Sequence, residues 1–261
     1  STDLHYLAGD GMRGRLVGTP DIERAADFIA SRFDSLGLEP AGADGSFFEP
    51  FDLAWFSVAE DNTLTVTGDG FSGRSRGLGE DFYPLNFSAT ASGQGELVFV
   101  GFGIVEPAFF YDDYTGQDVS GKVVLVLDRE PGVDDPQSAF DGIVTANAST
   151  GWRKALAAQA RGAAGVLFVR DVHNRPAVAD FAQAASNYWP SSPRRIERFT
   201  LGIWMDQIRI PAVQISTALA ERLVAGTGRT LQELGAAAES VSGLGPIDLP
   251  GPAVSIRASV E

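Results

Sequence analysis

Few residues in this chain have the type and spacing to do chemistry. The two histidines, His5 and His173, lie far apart, and neither has the His-Glu-x-x-His spacing that sets two imidazoles on one helix face around zinc. Both read as solvated or satisfied side chains. The chain has no cysteine, which removes thiolate catalysis, disulfides and Cys-ligated zinc together. Serine hydrolysis is set aside, because no serine is read at the strand-to-helix elbow that exposes a nucleophile. Gly101-Phe102-Gly103 follows an apolar run, but Glu106 stands where a dinucleotide loop needs its third glycine, so the string reads as a turn.

Two clusters remain as candidate binding sites. Tyr111-Asp112-Asp113-Tyr114 with Asp118 could offer carboxylate oxygens to calcium, a hard cation, although the spacing fits no EF-hand. The competing reading is a solvated loop whose tyrosines pack. In the stretch from Asn187 to Trp204, the aromatics Tyr188, Trp189, Phe199 and Trp204 stand among prolines and arginines, a composition common at partner surfaces. Tyr188, Trp189 and Trp204 are the candidate binding residues there, against a satellite core under a long loop.

The elements that must position these groups follow from periodicity. Thr19 (N-cap), Pro20, Asp21, Glu23 and Gly37 frame a helix whose Ile22, Ala25, Ile29, Phe33 and Leu36 form one apolar stripe. A shorter helix is expected over 4–8. Beyond Ser46 the period falls to two: 63–67 and 96–100 read as strands, and 122–127 and 165–169 as strands buried on both faces. The Ala-rich helix 152–161 between those two makes a βαβ unit with parallel strands. A strand over 210–215, helices capped by Ser216 and Thr230, and an alternating strand at 254–260 complete the pattern.

Bulk properties exclude several classes of function. Hydrophobic residues at 44% and charged residues at 21% describe an ordinary globular chain. The net charge of −14 disfavours nucleic acid, which needs clustered cations, and the short run Arg194, Arg195, Arg198 reads as a solvated loop. No apolar run is long enough to span a bilayer.

The order of motifs resembles a known family. His5-Tyr6-Leu7-Ala8, Gly14-Arg15-Leu16-Val17-Gly18-Thr19-Pro20 and Leu36-Gly37-Leu38-Glu39-Pro40 are similar to the start of di-zinc aminopeptidases that carry an inserted protease-associated (PA) domain. Leu97 to Ile104, Tyr111 to Tyr114, Gly121 to Val126, Lys154 to Leu167 and Ile210 to Val213 resemble that PA domain. The resemblance implies an α/β fold of the PA type, a swivelling β/β/α domain with a mixed sheet. Residues 1–58 would be a helical lead-in belonging to the peptidase part, and 59–261 the PA domain, with strands 63–67 and 254–260 close together because an inserted domain leaves and rejoins its host at neighbouring points. It further implies a non-catalytic accessory role covering the peptidase cleft, with zinc and its ligands in the parent's catalytic domain beyond residue 261 and no cofactor in this chain. The implied partners are that peptidase domain, peptide substrates and, through the apolar stripe, a second copy. The implied location is secreted or periplasmic. Two alternatives stay open: the leading part of a longer active enzyme, and a calcium-dependent interaction module.

Overall fold

The computed structural model describes residues 2–42, 44–68, 70–116, 118–140, 144–191, 200–202, 207–240 and 242–261. They form two compact units, 1–52 and 53–261. In the first, helix α1 (Thr2–Ala8) and a short 3-10 turn precede helix α2 (Pro20–Ser35). Thr19 holds the N-cap position, but its hydroxyl donates backward to Leu16 O at 2.6 Å instead of capping the helix. Gly37, at φ 73°, turns the chain away after the last helical turn. Asp21 is buried and is held by Arg13 and Arg24, with Arg13 Nε at 2.9 Å; the hydrogen bond from Arg13 keeps its carboxyl below the usual range. The predicted stripe is buried at Ala25 and exposed at Ile29, Phe33 and Leu36, the last 71% exposed.

The second unit is built on a seven-stranded mixed sheet. Its strands, in chain order, are β2 (Thr63–Thr67), β3 (Phe82–Pro84), β4 (Ala91–Phe99), β7 (Val123–Leu127), β8 (Gly165–Val169), β10 (Ala212–Ile215) and β11 (Ile247–Ala258). Small pairs β1 (Leu53–Ala54) with β9 (Thr200–Leu201), and β5 (Val105–Glu106) with β6 (Tyr111–Asp112), lie outside it. Across the sheet the order is β2-β11-β4-β7-β8-β10-β3, with β4, β7, β8 and β10 parallel and the flanking strands antiparallel. Helix α3 (Gly151–Ala160) links β7 to β8, so the βαβ unit forms as its apolar runs require.

Alternation in the central strands feeds two cores. Leu97, Leu125, Leu127, Leu167 and Ile215 face helices α5 (Thr217–Val224) and α6 (Leu231–Ala238) through Leu219, Leu223, Leu231 and Leu234. Val98, Val124, Val126, Val166 and Phe168 face α3 through Ala155 and Ala158, with Tyr188 at the end of α4 (Phe181–Tyr188) on the same side. A sheet covered on both faces explains why β7 and β8 read as continuous apolar runs instead of alternating ones. Small residues on α3 let it lie close to the sheet.

The chain's two ends of the sheet zip together. Strand β11 pairs with β2 from Arg257↔Thr63 to Ala253↔Thr67, and Ser57 and Glu261 exchange backbone hydrogen bonds at 2.6 and 3.0 Å. Asn62, buried, accepts from Ser259 N at 2.8 Å and donates to Ser259 O at 3.0 Å, so one side chain stitches the two segments. Four elements differ from expectation. Strand β4 begins at Ala91, where Gly93 and Gly95 hide it from a propensity argument. Strand β11 begins at Ile247 and carries a register shift between Asp248 and Ala253, across Pro250 and Gly251. The short edge strand β3 and helix α4 carried no signal that periodicity could separate from loop.

Candidate functional site

In an open parallel sheet the groups with functional potential collect beyond the carboxyl ends of the strands, where loops from neighbouring strands converge. Here that region begins with Lys154, in the first turn of α3 and only 1% exposed. Its ammonium donates to Leu127 O at 2.8 Å and to Arg129 O, and lies 5.6 Å from the Phe102 ring centroid. Arg129 is left-handed, at φ 64°, and that twist turns its carbonyl toward the lysine. Burial pulls the Lys154 pKa down to about 8, while Asp128, Asp113, Glu130 and Asp171 pull it upward. The ammonium form is therefore the one held at neutral pH.

The carboxylates around it are largely spent on the protein's own donors. Glu130 Oε2 accepts from Ala146 N at 2.8 Å, and its Oε1 has no partner among the described residues. Asp128 accepts from Asp171 N at 2.8 Å, which ties the exits of β7 and β8 together. Asp171 in turn accepts from His173 N at 3.0 Å and from the Asn174 amide at 2.8 Å. Asn174 also reaches Glu239, which accepts from Gly132 N at 2.7 Å. The chain of bonds joins three loops and the end of α6.

The acidic loop is structural in its contacts. Asp113 is fully buried and accepts from Ile104 N at 3.0 Å, Tyr111 Oη at 2.9 Å and Leu244 N at 3.2 Å. Burial pushes its pKa up to about 6, opposed by those donors and by Lys154. Gly101, at φ 56°, sits where a side chain would be strained, and a Cβ there would also press on Asp113 Oδ1 at 3.0 Å. Asp112 caps Tyr114 N and pairs with Arg161 at 3.1 Å; Asp118 caps Ser120 N on the surface. Among the described residues no three His, Asp or Glu side chains are grouped to hold a metal ion.

Of the aromatic candidates, Tyr188 and Trp189 sit together at the end of α4. Tyr188 Oη donates to Asn86 Oδ1 at 2.7 Å and accepts from Asn86 N at 3.0 Å, and Trp189 Nε1 donates to Pro84 O at 2.7 Å. Both half-buried rings thus clamp α4 to the edge strand β3, with Tyr188 5.0 Å from the Tyr83 ring. Burial beside Tyr188 and Asp128 pushes the Tyr83 hydroxyl up to about 12. Trp204, Phe199 and the arginine run at 194–198 lie outside the described residues.

His5 and His173 are exposed and belong to different units. The string Gly73-Arg74-Ser75-Arg76-Gly77 has the letters of a nucleophile elbow. Its setting is wrong for one: Ser75 is exposed, bridges the edge strand β2 at Thr65, and is followed by strand β3 instead of a helix. At the opposite end of the sheet an open depression is lined by Ser92, Gln94, Ser255, Ala164 and Ile210, with no titratable group.

Lys154, the buried βαβ unit and the strand that follows it fall within one recognisable block. A family model described as PA domain matches residues 93–223, half of the chain. This chain belongs to the PA-domain family. The match starts in β4 and ends in α5, so it covers the four parallel strands of the PA domain, Lys154 and the Tyr188–Trp189 corner. Among solved structures the chain is similar to an aminopeptidase from Aneurinibacillus sp. strain AM-1, at 15% identity and a TM-score of 0.39, over 100% of this chain and 43% of that one. It is also similar to BSAP, a zinc aminopeptidase from Bacillus subtilis, at 16% identity and a TM-score of 0.34, over 100% of this chain and 42% of that one. It spans less than half the length of either. A comparison with curated proteins gives no match.

Proposed function

We propose that this chain is the accessory, non-catalytic part of a zinc aminopeptidase: a PA domain with an N-terminal lead-in that covers or narrows the parent's active-site cleft and governs which peptides enter. The observation that carries this reading is the PA-family match over 93–223, lying downstream of N-terminal strings similar to those of such peptidases. Two features of the structure support it. The carboxylates at the strand ends accept hydrogen bonds from the chain's own loops, which suits a scaffold better than a reaction centre. Ile29, Phe33 and Leu36 on α2 leave an apolar face exposed, the kind of surface that packs on a neighbouring domain or on a second copy.

Zinc in this reading belongs to the parent's catalytic residues and not to the side chains described above. The parent would act outside the cytoplasm, secreted or periplasmic. The test is direct: the pure chain, with zinc added, is assayed against an aminoacyl p-nitroanilide. No hydrolysis above background is expected. Turnover that appears with metal and disappears with a chelator would sink the accessory reading and make the chain itself an enzyme.

A further inference from the structure

Phe110 is 90% exposed, and its backbone is left-handed at φ 53° and ψ 34°. Glycine or asparagine would fill this conformation at least cost, and the ring buries almost none of its surface on this chain. Its neighbours, by contrast, are fixed. Phe109 and Tyr111 both meet the buried Phe140 ring edge to face, with centroids 5.1 and 4.9 Å away. Glu106 caps the turn by accepting from Ala108 N at 3.1 Å, and Phe110 N donates to Pro107 O at 3.1 Å. Strands β5 and β6 pair across it, and Asp113 locks the segment that follows. The ring is held outward on a rigid knuckle.

The segments that build this knuckle carry charge of one sign. Residues 105–112 and 131–140, which meet at Phe140, contain Glu106, Asp112, Asp134 and Asp135 and no lysine or arginine. Asp112 is paired with Arg161 of α3 at 3.1 Å, which leaves the other three. Glu106 is on the turn itself, and exposed Asp134 and Asp135 stand in the loop that leads to Phe140. A second copy of a chain with net charge −14, or an anionic lipid surface, would meet repulsion here. A cationic surface would be drawn in.

We propose that Phe110 is a preformed knob that inserts into an apolar socket rimmed by lysine or arginine on a partner protein. The left-handed backbone is kept because it aims the ring at that socket, and the rigid anchoring lowers the ordering cost of binding. The inference stands on the Phe110 geometry and the local charge, independently of the peptidase reading.

The probe is a short amphipathic peptide of leucine and arginine, set against its leucine–glutamate counterpart and against mixed phosphatidylcholine–phosphatidylglycerol vesicles. With the arginine peptide, amide resonances should move at 105–112 and 134–140. Phe110→Ser should weaken binding by about ten-fold or more, as loss of a central aromatic anchor does. Phe110→Gly should weaken it equally while melting at or above the wild-type temperature, since glycine relieves the left-handed backbone; that result separates lost binding from lost folding. Shifts centred elsewhere, unchanged affinity in Phe110→Ser, no binding, or a preference for the vesicles or the glutamate peptide would each overturn the proposal.

Discussion

Replacing Lys154 by methionine keeps the length of the side chain and removes the ammonium. Two carbonyls, Leu127 O and Arg129 O, then lose their donor inside the protein, and each stranded acceptor costs about 1–3 kcal/mol. The carboxylates that face the lysine, Asp113, Asp128, Glu130 and Asp171, lose their shared cation at the same time. Against this, methionine avoids the cost of desolvating a charge. In other proteins, replacing a whole buried ion pair by apolar groups has been neutral or stabilising, whereas removing one partner costs about 3–5 kcal/mol. Lys154→Met removes one partner and leaves the acids, so the expected loss is about 3–4 kcal/mol, or roughly 10 °C in Tm for a unit of this size.

Urea unfolding followed by circular dichroism measures the loss, and its pH dependence supplies a second check. The folded pKa of about 8 lies below lysine's ordinary value of 10.5, so between these pH values the unfolded chain binds more protons at this site. Stability from Lys154 should therefore rise as pH climbs from 8 to 10.5 in the wild type, and that rise should vanish in Lys154→Met. A methionine variant equal to or more stable than wild type at pH 7 would refute the reasoning, because it would mean the lysine's desolvation outweighs everything it holds.

Asp113→Asn replaces an acceptor with an amide donor facing N–H or O–H groups, and should cost about 1–3 kcal/mol at pH 7 by denaturant titration. Because the folded pKa of about 6 is raised, the wild type loses stability from this group as pH rises from about 4 to 6, and the variant should lack that slope. Asn62→Ala should cost about 2–3 kcal/mol, and hydrogen exchange should speed up at 57–62 and 258–261, since the side chain bridges both segments. Gly93→Ala should lower Tm more than any surface alanine, by about 2–3 kcal/mol of stability or more, because its Cβ would stand 1.8 Å from Ala164 O; an unchanged melting curve would show that the 164 loop moves freely.

Elements with local signatures were legible from residues alone. The apolar runs of β7 and β8 and the Ala-rich helix between them specify a parallel βαβ unit, because a strand buried on both faces needs no alternation and an unbroken helix must follow. The caps at Ser216 and Thr230 are likewise local: each hydroxyl accepts from a backbone N–H three residues ahead, at 3.2 Å. That β2 and β11 lie side by side was expected only from the resemblance to an inserted domain, since alternation marks each strand but not its partner. Strand β4 was half hidden, since Gly93 and Gly95 exist to let the carbonyls of Ala164 and Gly121 come close, a demand made by loops far away in sequence.

The polar centre was the part that the chain order could not disclose. Lys154 reads as one cation on an amphipathic helix, and Asp113 as one of two acids in a surface loop; nothing within a helical turn of either says that it will be buried. Burial comes from packing, when α3 lies on the sheet and the return toward β11 closes over the 104–113 loop, bringing together donors and acceptors up to 131 residues apart. Composition and periodicity thus determined the layers and their order, because those depend on which residues leave water. Which charged groups went inside with them, and what each one holds, only the tertiary contacts decided, because a buried charge is set by the partners that reach it in space.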